Sequence, residues 1–224
     1  MLKKYLSYIL IITGIAIISI ALYQKISTSY YQKKLVEEYD RHISMLNSDV
    51  NEESEVVQSE VEIPGEEIKQ ESREEHVEEV HEEKSPVEKY LEGKEISGII
   101  EIPKLNVKSA ILEGTDDSAL KYTVGHYPET ANPGEKRNCV LLGHRNYVYG
   151  HFFRRIDELE PGDQVILKKD AETYTYIVTE SFVVSPEEVW VLDNTEDATV
   201  TMITCTPMIT YTDRLIVRGV LSDK

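Results

Sequence analysis

The chain has 224 residues, of which 41% are hydrophobic and 29% charged, and its formal net charge at pH 7 is −17. This length accommodates one globular domain with additional segments. Residues 51–95 hold 17 of the 41 acidic residues but only 5 of the 24 basic ones, so the acidity is concentrated in one segment. The sequence shows no basic stripe, which argues against a nucleic-acid partner. Two cysteines are too few for a disulfide framework.

An uncharged apolar run occupies residues 5–23, after the short N-terminal stretch 1–4. A helix of this length is about enough to cross a hydrocarbon core of roughly 30 Å. We interpret the run as an uncleaved transmembrane anchor. The alternative, a signal peptide, is disfavoured because "IALYQKI" offers no small-x-small cleavage site. The flanking lysines are nearly balanced, so charge alone does not orient the span.

Residues 24–50 are predicted to be a juxtamembrane helix. Leu35, Tyr39 and Ile43 recur at a spacing of four, which places them on one helical face.

Residues 51–95 have few aromatic side chains and a heavy load of like charge, which is typical of an extended, self-repelling linker. His76 and His81 lie among glutamates in this linker. We interpret them as part of a solvated charge run and not as a metal site.

Residues 96–224 are predicted to form the folded domain, mainly from strands. Segments such as "NCVLLGH", "DQVILKK", "TYTYIVTESFVV", "ATVTMITC" and "RLIVRGVL" have strand character, and a hairpin is expected at "DAE". Short helices are expected around 118–122 and over 151–159. Seven or eight short strands favour a closed barrel or a sandwich.

Cys205 ends a β-branched run and precedes a polar loop, a position suited to a nucleophile. A cysteine reacts as the thiolate, and an unperturbed thiol has a pKa of about 8.5, so a basic neighbour is required. Cys139 lies within a buried-strand pattern and is interpreted as a small hydrophobic residue. A Cys139–Cys205 disulfide is the alternative; it would leave the polar surroundings of Cys205 unexplained.

Three histidines of the folded domain compete for the role of base: His126, His144 and His151. His144 is favoured because it ends a strand, as Cys205 does, so the two side chains meet if those strands are neighbours. Arg214 opens the next strand and offers donors for an oxyanion or a carbonyl. Arg218 lies four residues after Arg214, so it points to the same face of the strand but lies further from the strand's start. For both arginines, the alternative role is a surface ion pair.

Three segments together resemble the sortase family. "TMITC" is similar to the family's T-L-x-T-C signature, "LLGHR" to the segment of the catalytic histidine, and "TDRLIVRG" to that of the catalytic arginine. The resemblance implies that His144, Cys205 and Arg214 are catalytic. It also implies that residues 96–224 form a closed eight-stranded sortase-type β-barrel with short helices, preceded by the transmembrane helix and the acidic linker. "GHYPETANPGE" and "EEVWVLDNTEDATVTMITCTP" look most like class D sortases.

The resemblance further implies a function. Sortases of this kind cut an LPxTG-type sorting signal, hold the acyl group as a cysteine thioester and transfer it to an amine of a peptidoglycan precursor. They sit at the Gram-positive cell membrane as single-pass proteins with an extracellular catalytic domain. We therefore expect surface-protein substrates, a cell-wall amine and the membrane as partners, and no cofactor.

Residues 185–198 resemble the loop that helps to form the family's substrate groove. Trp190 and Val191 are candidates to contact the sorting signal, with a place in the core as the equal alternative, and Thr204 is expected to orient the substrate. The acidic residues of this loop suggest calcium, which some class A sortases use. A solvated loop is the favoured interpretation, since calcium needs six to eight oxygen ligands.

Three other functions remain open on the sequence. The same site could serve a secreted cysteine peptidase that uses water. A non-catalytic, membrane-tethered binding module would leave both cysteines inert. An L,D-transpeptidase also pairs histidine with cysteine, but its usual S-x-G-C context is absent.

Overall fold

The computed structural model describes residues 2–55, 86–146 and 152–222. Eight strands close into a barrel in the order β1-β2-β3-β4-β7-β8-β6-β5. The strands are β1 Ile96–Ile102, β2 Val107–Glu113, β3 Val124–His126, β4 Arg137–Leu142, β5 Gln164–Lys169, β6 Glu172–Val184, β7 Ala198–Thr206 and β8 Asp213–Leu221. The β2–β3 and β4–β7 pairs are parallel, and the other neighbours are antiparallel. The predicted eight-stranded barrel is confirmed.

The barrel interior is filled by alternate side chains of the strands, as the two-residue period of a β-strand requires. Its buried apolar cluster includes Ile100, Leu141, Leu167, Met202 and Val217, from five different strands. The intervening residues of β7 therefore point to the outer side of the sheet. We call the outer side of β4, β7, β8 and β6 the outer face.

A second apolar cluster covers part of the outer face. It brings Val140, Ile203 and Ile216 of the barrel together with Val191 of the β6–β7 loop, residues 185–197. The loop is thus packed down on the sheet next to the end of β7. The predicted hairpin also forms, since β5 and β6 are joined by the two residues 170–171, and Asp170 takes a left-handed backbone conformation with φ of 53°.

Of the two short helices expected in the folded domain, one forms and the other does not. Helix α3, Asp117–Leu120, falls where a short helix was expected, and Asp116 caps it by accepting from the amides of Ser118 and Ala119. The predicted helix over 151–159 is wrong within its described part, which is a turn followed by a 3-10 helix at Ile156–Glu158. Its Arg154 carbonyl accepts from the Arg145 side chain, so a tertiary contact replaces helical bonding there.

Helix α1, Leu2–Glu55, runs without a break through the predicted borders at residues 23 and 50. Leu35 and Tyr39 are buried against Ile99 and Ala110 of the barrel, and Ile43 packs beside them, which confirms the predicted face. The Tyr39 hydroxyl accepts from the amide of Asp170 at 2.7 Å. Helix α1 is therefore docked on the barrel.

The predicted acidic linker is helical at both of its described ends. Helix α1 extends to Glu55, and helix α2 occupies Pro86–Leu91. The middle of the linker, with His76 and His81, lies outside the described residues.

Candidate active site

The parallel pairing of β4 and β7 brings the carboxyl ends of both strands to one edge of the barrel. Leu142 lies opposite Ile203, and the amide of Gly143 donates to the carbonyl of Ile203 at 3.2 Å. The Thr204 hydroxyl then donates to the carbonyl of Gly143 at 2.6 Å. His144 and Cys205 are the next residues on the two strands. The fold thus places the predicted base and nucleophile at the same edge.

Arg214 joins this edge through the antiparallel β7–β8 pair. The register of this pair places Arg214 directly opposite Cys205. Residues directly opposite each other in an antiparallel pair have Cβ atoms about 5 Å apart on the same face of the sheet. The Arg214 guanidinium donates to the carbonyls of Tyr211 and Asp213, at 3.3 and 3.0 Å. Cys205 is partly exposed and lies on the outer face. A substrate carbonyl reaching Cys205 would therefore meet a cationic donor beside it.

The imidazole of His144 is half-buried. Burial lowers its pKa below the ordinary value, and the carboxylate of Asp117 acts weakly in the opposite direction. The neutral imidazole consequently prevails at pH 7, and this form is able to accept a proton from a thiol.

Of the two rival histidines, His126 is held by structural contacts away from this site. His126 is buried, and its Nδ1 lies 2.8 Å from the Glu113 carboxylate while its Nε2 lies 3.0 Å from the Ala131 carbonyl. Both ring nitrogens therefore serve structure. His151 lies outside the described residues.

The disulfide alternative is excluded by the strand register. Cys139 lies opposite Val200, five residues before Cys205 along β7. Five strand residues span about 17 Å, whereas a disulfide needs Cα atoms within about 7 Å. Both cysteines are free thiols. Burial raises the pKa of the Cys139 thiol to about 12, so Cys139 is an inert core residue, as predicted.

Comparison with known proteins identifies the family. A model of the sortase domain matches residues 100–222, which is more than half of the chain. The chain belongs to the sortase family. Sortases are cysteine transpeptidases. The histidine, cysteine and arginine that meet at this edge lie in the three segments whose sequences resemble this family.

Individual relatives agree with the predicted class D character. The chain is 42% identical over 92 residues to Sortase D of Bacillus subtilis, which covers 41% of this chain and 44% of that protein. It is 36% identical over 137 residues to Sortase SrtE1 of Streptomyces coelicolor, covering 54% and 39% of the two proteins. The chain therefore spans less than half the length of these two relatives.

Solved sortase structures share the barrel. The Clostridium perfringens sortase D5 transpeptidase has a TM-score of 0.52 at 35% identity, and the match covers 56% of this chain and 78% of that one. Clostridium perfringens sortase C, solved with the C-terminal cell wall sorting motif, has a TM-score of 0.54 at 35% identity, covering 58% and 72%.

Thr204 is buried in this sortase, and its expected role toward the substrate stays a prediction. Its side chain is 2% exposed and donates its hydroxyl to the carbonyl of Gly143. Successive strand residues point to opposite faces, so Thr204 faces the interior while Cys205 faces outward. The Thr204 hydroxyl therefore supports the segment of His144.

Val191 and Trp190 occupy different environments. Val191 is buried in the apolar cluster of the outer face, which corresponds to the core alternative. Trp190 is 44% exposed, and its ring stacks on Phe182 with centroids 5.6 Å apart. The guanidinium of Arg218 lies 5.2 Å from the Trp190 ring centroid. Contact between Trp190 and a sorting signal stays a prediction.

A polar network that the sequence did not suggest holds the β6–β7 loop on the outer face. The side-chain amide of Asn138 donates to the carbonyls of Val191 and Asp193 at 3.0 and 3.1 Å, and it accepts from the Thr201 hydroxyl at 2.7 Å. Arg218 donates to Thr201 at 3.3 Å and to Val191 at 3.4 Å, besides its ion pair with Glu180. Arg218 is thus more than a surface ion pair.

Two acidic side chains of the β6–β7 loop are engaged with their neighbours. The Glu187 carboxylate accepts from Ser185, and the Glu188 carboxylate accepts from the Trp190 ring nitrogen, both at 2.8 Å. Within residues 2–55, 86–146 and 152–222, no three His, Cys, Asp or Glu side chains are grouped to hold a metal ion. Activity without calcium stays a prediction.

Sequence reasoning also missed Arg145, the residue after His144. Its side chain is 8% exposed and pairs with Asp157 at 2.7 Å. It also donates to the Thr206 hydroxyl at 2.7 Å and to the Arg154 carbonyl at 3.1 Å. The available signal was an arginine directly following the predicted base in "LLGHR".

Proposed function

We propose that this sortase cleaves an LPxTG-type sorting signal, holds the acyl group as a thioester on Cys205 and transfers it to an amine of a peptidoglycan precursor. The observation that carries the proposal is the meeting of His144, Cys205 and Arg214 at one edge of the barrel. The similarity to a sortase C solved with its sorting motif supports the class of substrate.

In the first half of the proposed reaction, the thiol proton of Cys205 passes to His144 and the thiolate attacks the carbonyl carbon of the threonine. Arg214 donates to the oxygen that becomes negatively charged. Collapse of this intermediate breaks the threonine–glycine bond, and the His144 imidazolium gives its proton to the departing glycine amine. A thioester remains on Cys205.

In the second half, the incoming amine attacks the thioester carbonyl and loses a proton to His144. Arg214 again donates to the oxyanion. Collapse expels the Cys205 thiolate, which recovers its proton from the imidazolium. Every step is a proton transfer or an acyl transfer, so the proposed reaction needs no metal or redox cofactor.

Helix α1 supports a location at the membrane. Among the described residues, it is the one helix long and apolar enough to cross a bilayer, with a mean hydropathy of 2.0 in its most apolar window. Its apolar side chains from Tyr8 to Tyr23 are exposed, as a lipid-facing surface requires. We place the barrel on the extracellular side, where sorting signals and cell-wall amines are found.

The test uses the full-length protein in detergent micelles, because α1 packs against the barrel. An LPxTG-type peptide and triglycine are added, and the products are followed by mass spectrometry. The proposal predicts an LPxT–triglycine adduct that is absent with Cys205→Ala. Hydrolysis that is insensitive to triglycine would instead identify a cysteine peptidase. Absence of turnover together with an unreactive Cys205 would identify a binding module.

A further inference from the structure

Arg145 is a buried charge in a position that packing alone does not explain. Arginine is rarely buried unless its charge is paired and its donors are used. The guanidinium here has three partners in two segments: Asp157 of the 3-10 helix, the Arg154 carbonyl in the turn before it, and the Thr206 hydroxyl at the end of β7. Each of its three nitrogens therefore has a partner in a different direction.

The contact with Thr206 has a special place in the active site. Arg145 follows His144 in the chain, and Thr206 follows Cys205. Their 2.7 Å hydrogen bond therefore joins the residues directly after the base and the nucleophile. The Thr204–Gly143 hydrogen bond joins the residues directly before them, at 2.6 Å. Two cross-strand bonds thus bracket His144 and Cys205.

We propose that Arg145 is a positioning residue that fixes the His144 imidazole relative to the Cys205 thiol through its hydrogen bond to Thr206. This inference rests on the proposed function. Arg145 itself does not contact the reacting atoms by this account, since its guanidinium nitrogens are bonded to Asp157, the Arg154 carbonyl and Thr206.

The geometry requires an arginine. A planar guanidinium directs rigid donors to three partners at once, whereas a lysine ammonium is a single flexible point charge. Arg145→Lys therefore keeps the charge beside Asp157 but loses the fixed link to the other partners. The paired carboxylate of Asp157 also offsets the charge of Arg145, so the effect on catalysis is expected to arise from geometry.

The test compares Arg145→Lys and Thr206→Val with Arg155→Lys in the full-length protein. Arg155 is an exposed arginine of the same region with a local ion pair to Glu158, which makes it a matched control. Misplacement of a catalytic group by about 1 Å lowers rates by about 10²-fold. We expect Arg145→Lys and Thr206→Val to lower kcat by about 10- to 100-fold at an unchanged KM for the LPxTG-type peptide. The double variant should be no slower than Arg145→Lys, and Arg155→Lys should behave as wild type.

A second readout needs no peptide and so separates this inference from the proposed function. The rate of Cys205 alkylation by iodoacetamide is measured against pH, with the modified residue assigned by mass spectrometry. In the wild type, His144→Ala should change this profile, because the proposed reaction passes the thiol proton to the imidazole. In the Thr206→Val background, His144→Ala should change it much less. This result would support the inference even if the wild type did not turn over the LPxTG-type peptide.

The inference is overturned if Arg145→Lys and Thr206→Val lower only the Tm and leave kcat per folded molecule unchanged. It is equally overturned if His144→Ala alters the alkylation profile as strongly in the Thr206→Val background as in the wild type. Should Arg145→Lys fail to fold, Thr206→Val alone decides, since it removes one hydroxyl and retains the buried guanidinium.

Discussion

The hydrogen bond from Thr204 to Gly143 is expected to stabilise the barrel and to hold the base in place at once. Thr204→Val has almost the same shape but removes the hydroxyl. The 2.6 Å bond is buried, so the Gly143 carbonyl loses a partner that water cannot easily replace. Leaving a buried acceptor unpaired lowers the free energy of unfolding by about 1–3 kcal/mol. Each kcal/mol lowers the Tm of a protein of this size by about 2–4 °C.

The catalytic effect follows from the same bond, because His144 is the next residue after Gly143. We expect Thr204→Val to lower kcat by about 10-fold or more. Thermal unfolding and transpeptidation kinetics in detergent measure the two effects, and Thr204→Ser, which keeps the hydroxyl, is the matched control. The reasoning is refuted if the valine and serine variants have the same Tm and the same kcat. A rise in KM alone would instead favour the original expectation that Thr204 contacts substrate.

Three further changes test other parts of the structure. Asp117→Asn removes a carboxylate that favours the imidazolium of His144, so the pKa of His144, already lowered by burial, should fall further. Histidine NMR in the Cys205→Ala background measures this pKa, and a raised value would contradict the influence of Asp117. Asn138→Ala removes a hydrogen-bond partner from two carbonyls of the β6–β7 loop and from the Thr201 hydroxyl, so it should cost about 1–3 kcal/mol for each group left unpaired and buried and should raise KM. A wild-type free energy of unfolding in urea would contradict the network. Leu35→Ala removes a fully buried side chain from the contact between α1 and the barrel and should weaken docking by about 2–5 kcal/mol. Hydrogen exchange in β1 and β2 should then be faster, and unchanged protection would mean that α1 does not dock in solution.

The sequence was informative wherever local pattern and place along the chain determine structure. Cys205 and His144 each end an apolar strand pattern, and parallel pairing of those strands brings such ends together. The β5–β6 hairpin followed from two strand patterns separated by a short polar turn. Arg214 was a candidate because it opens the next strand, and the antiparallel register places it opposite Cys205.

Strand parity gives Thr204 and Cys205 different surroundings. Adjacent residues of a strand face opposite sides, so Thr204 and Cys205 cannot both face the outer side of β7. The alternation of buried Val200 and Met202 in the same strand already indicated which residues point inward. Closeness in sequence to the nucleophile therefore does not place Thr204 on the same face as Cys205.

The residues that were missed act through partners far away in the chain. Arg145 meets Thr206 across 61 residues, and Asn138 meets Thr201 across 63. No local pattern distinguishes such an arginine or asparagine from a solvated one. The helix expected over 151–159 fails for the same reason, since the Arg154 carbonyl is bonded to the distant Arg145 side chain.

The most direct test of the central claim is to trap the acyl-enzyme. The full-length protein is mixed with an LPxTG-type peptide without an added amine, quenched in acid and digested, and the mass of the fragment that contains Cys205 is measured. We predict that this fragment gains the mass of the LPxT acyl group and loses it when triglycine is added before the quench. An acyl group elsewhere, or full transpeptidation by Cys205→Ala, would contradict the account.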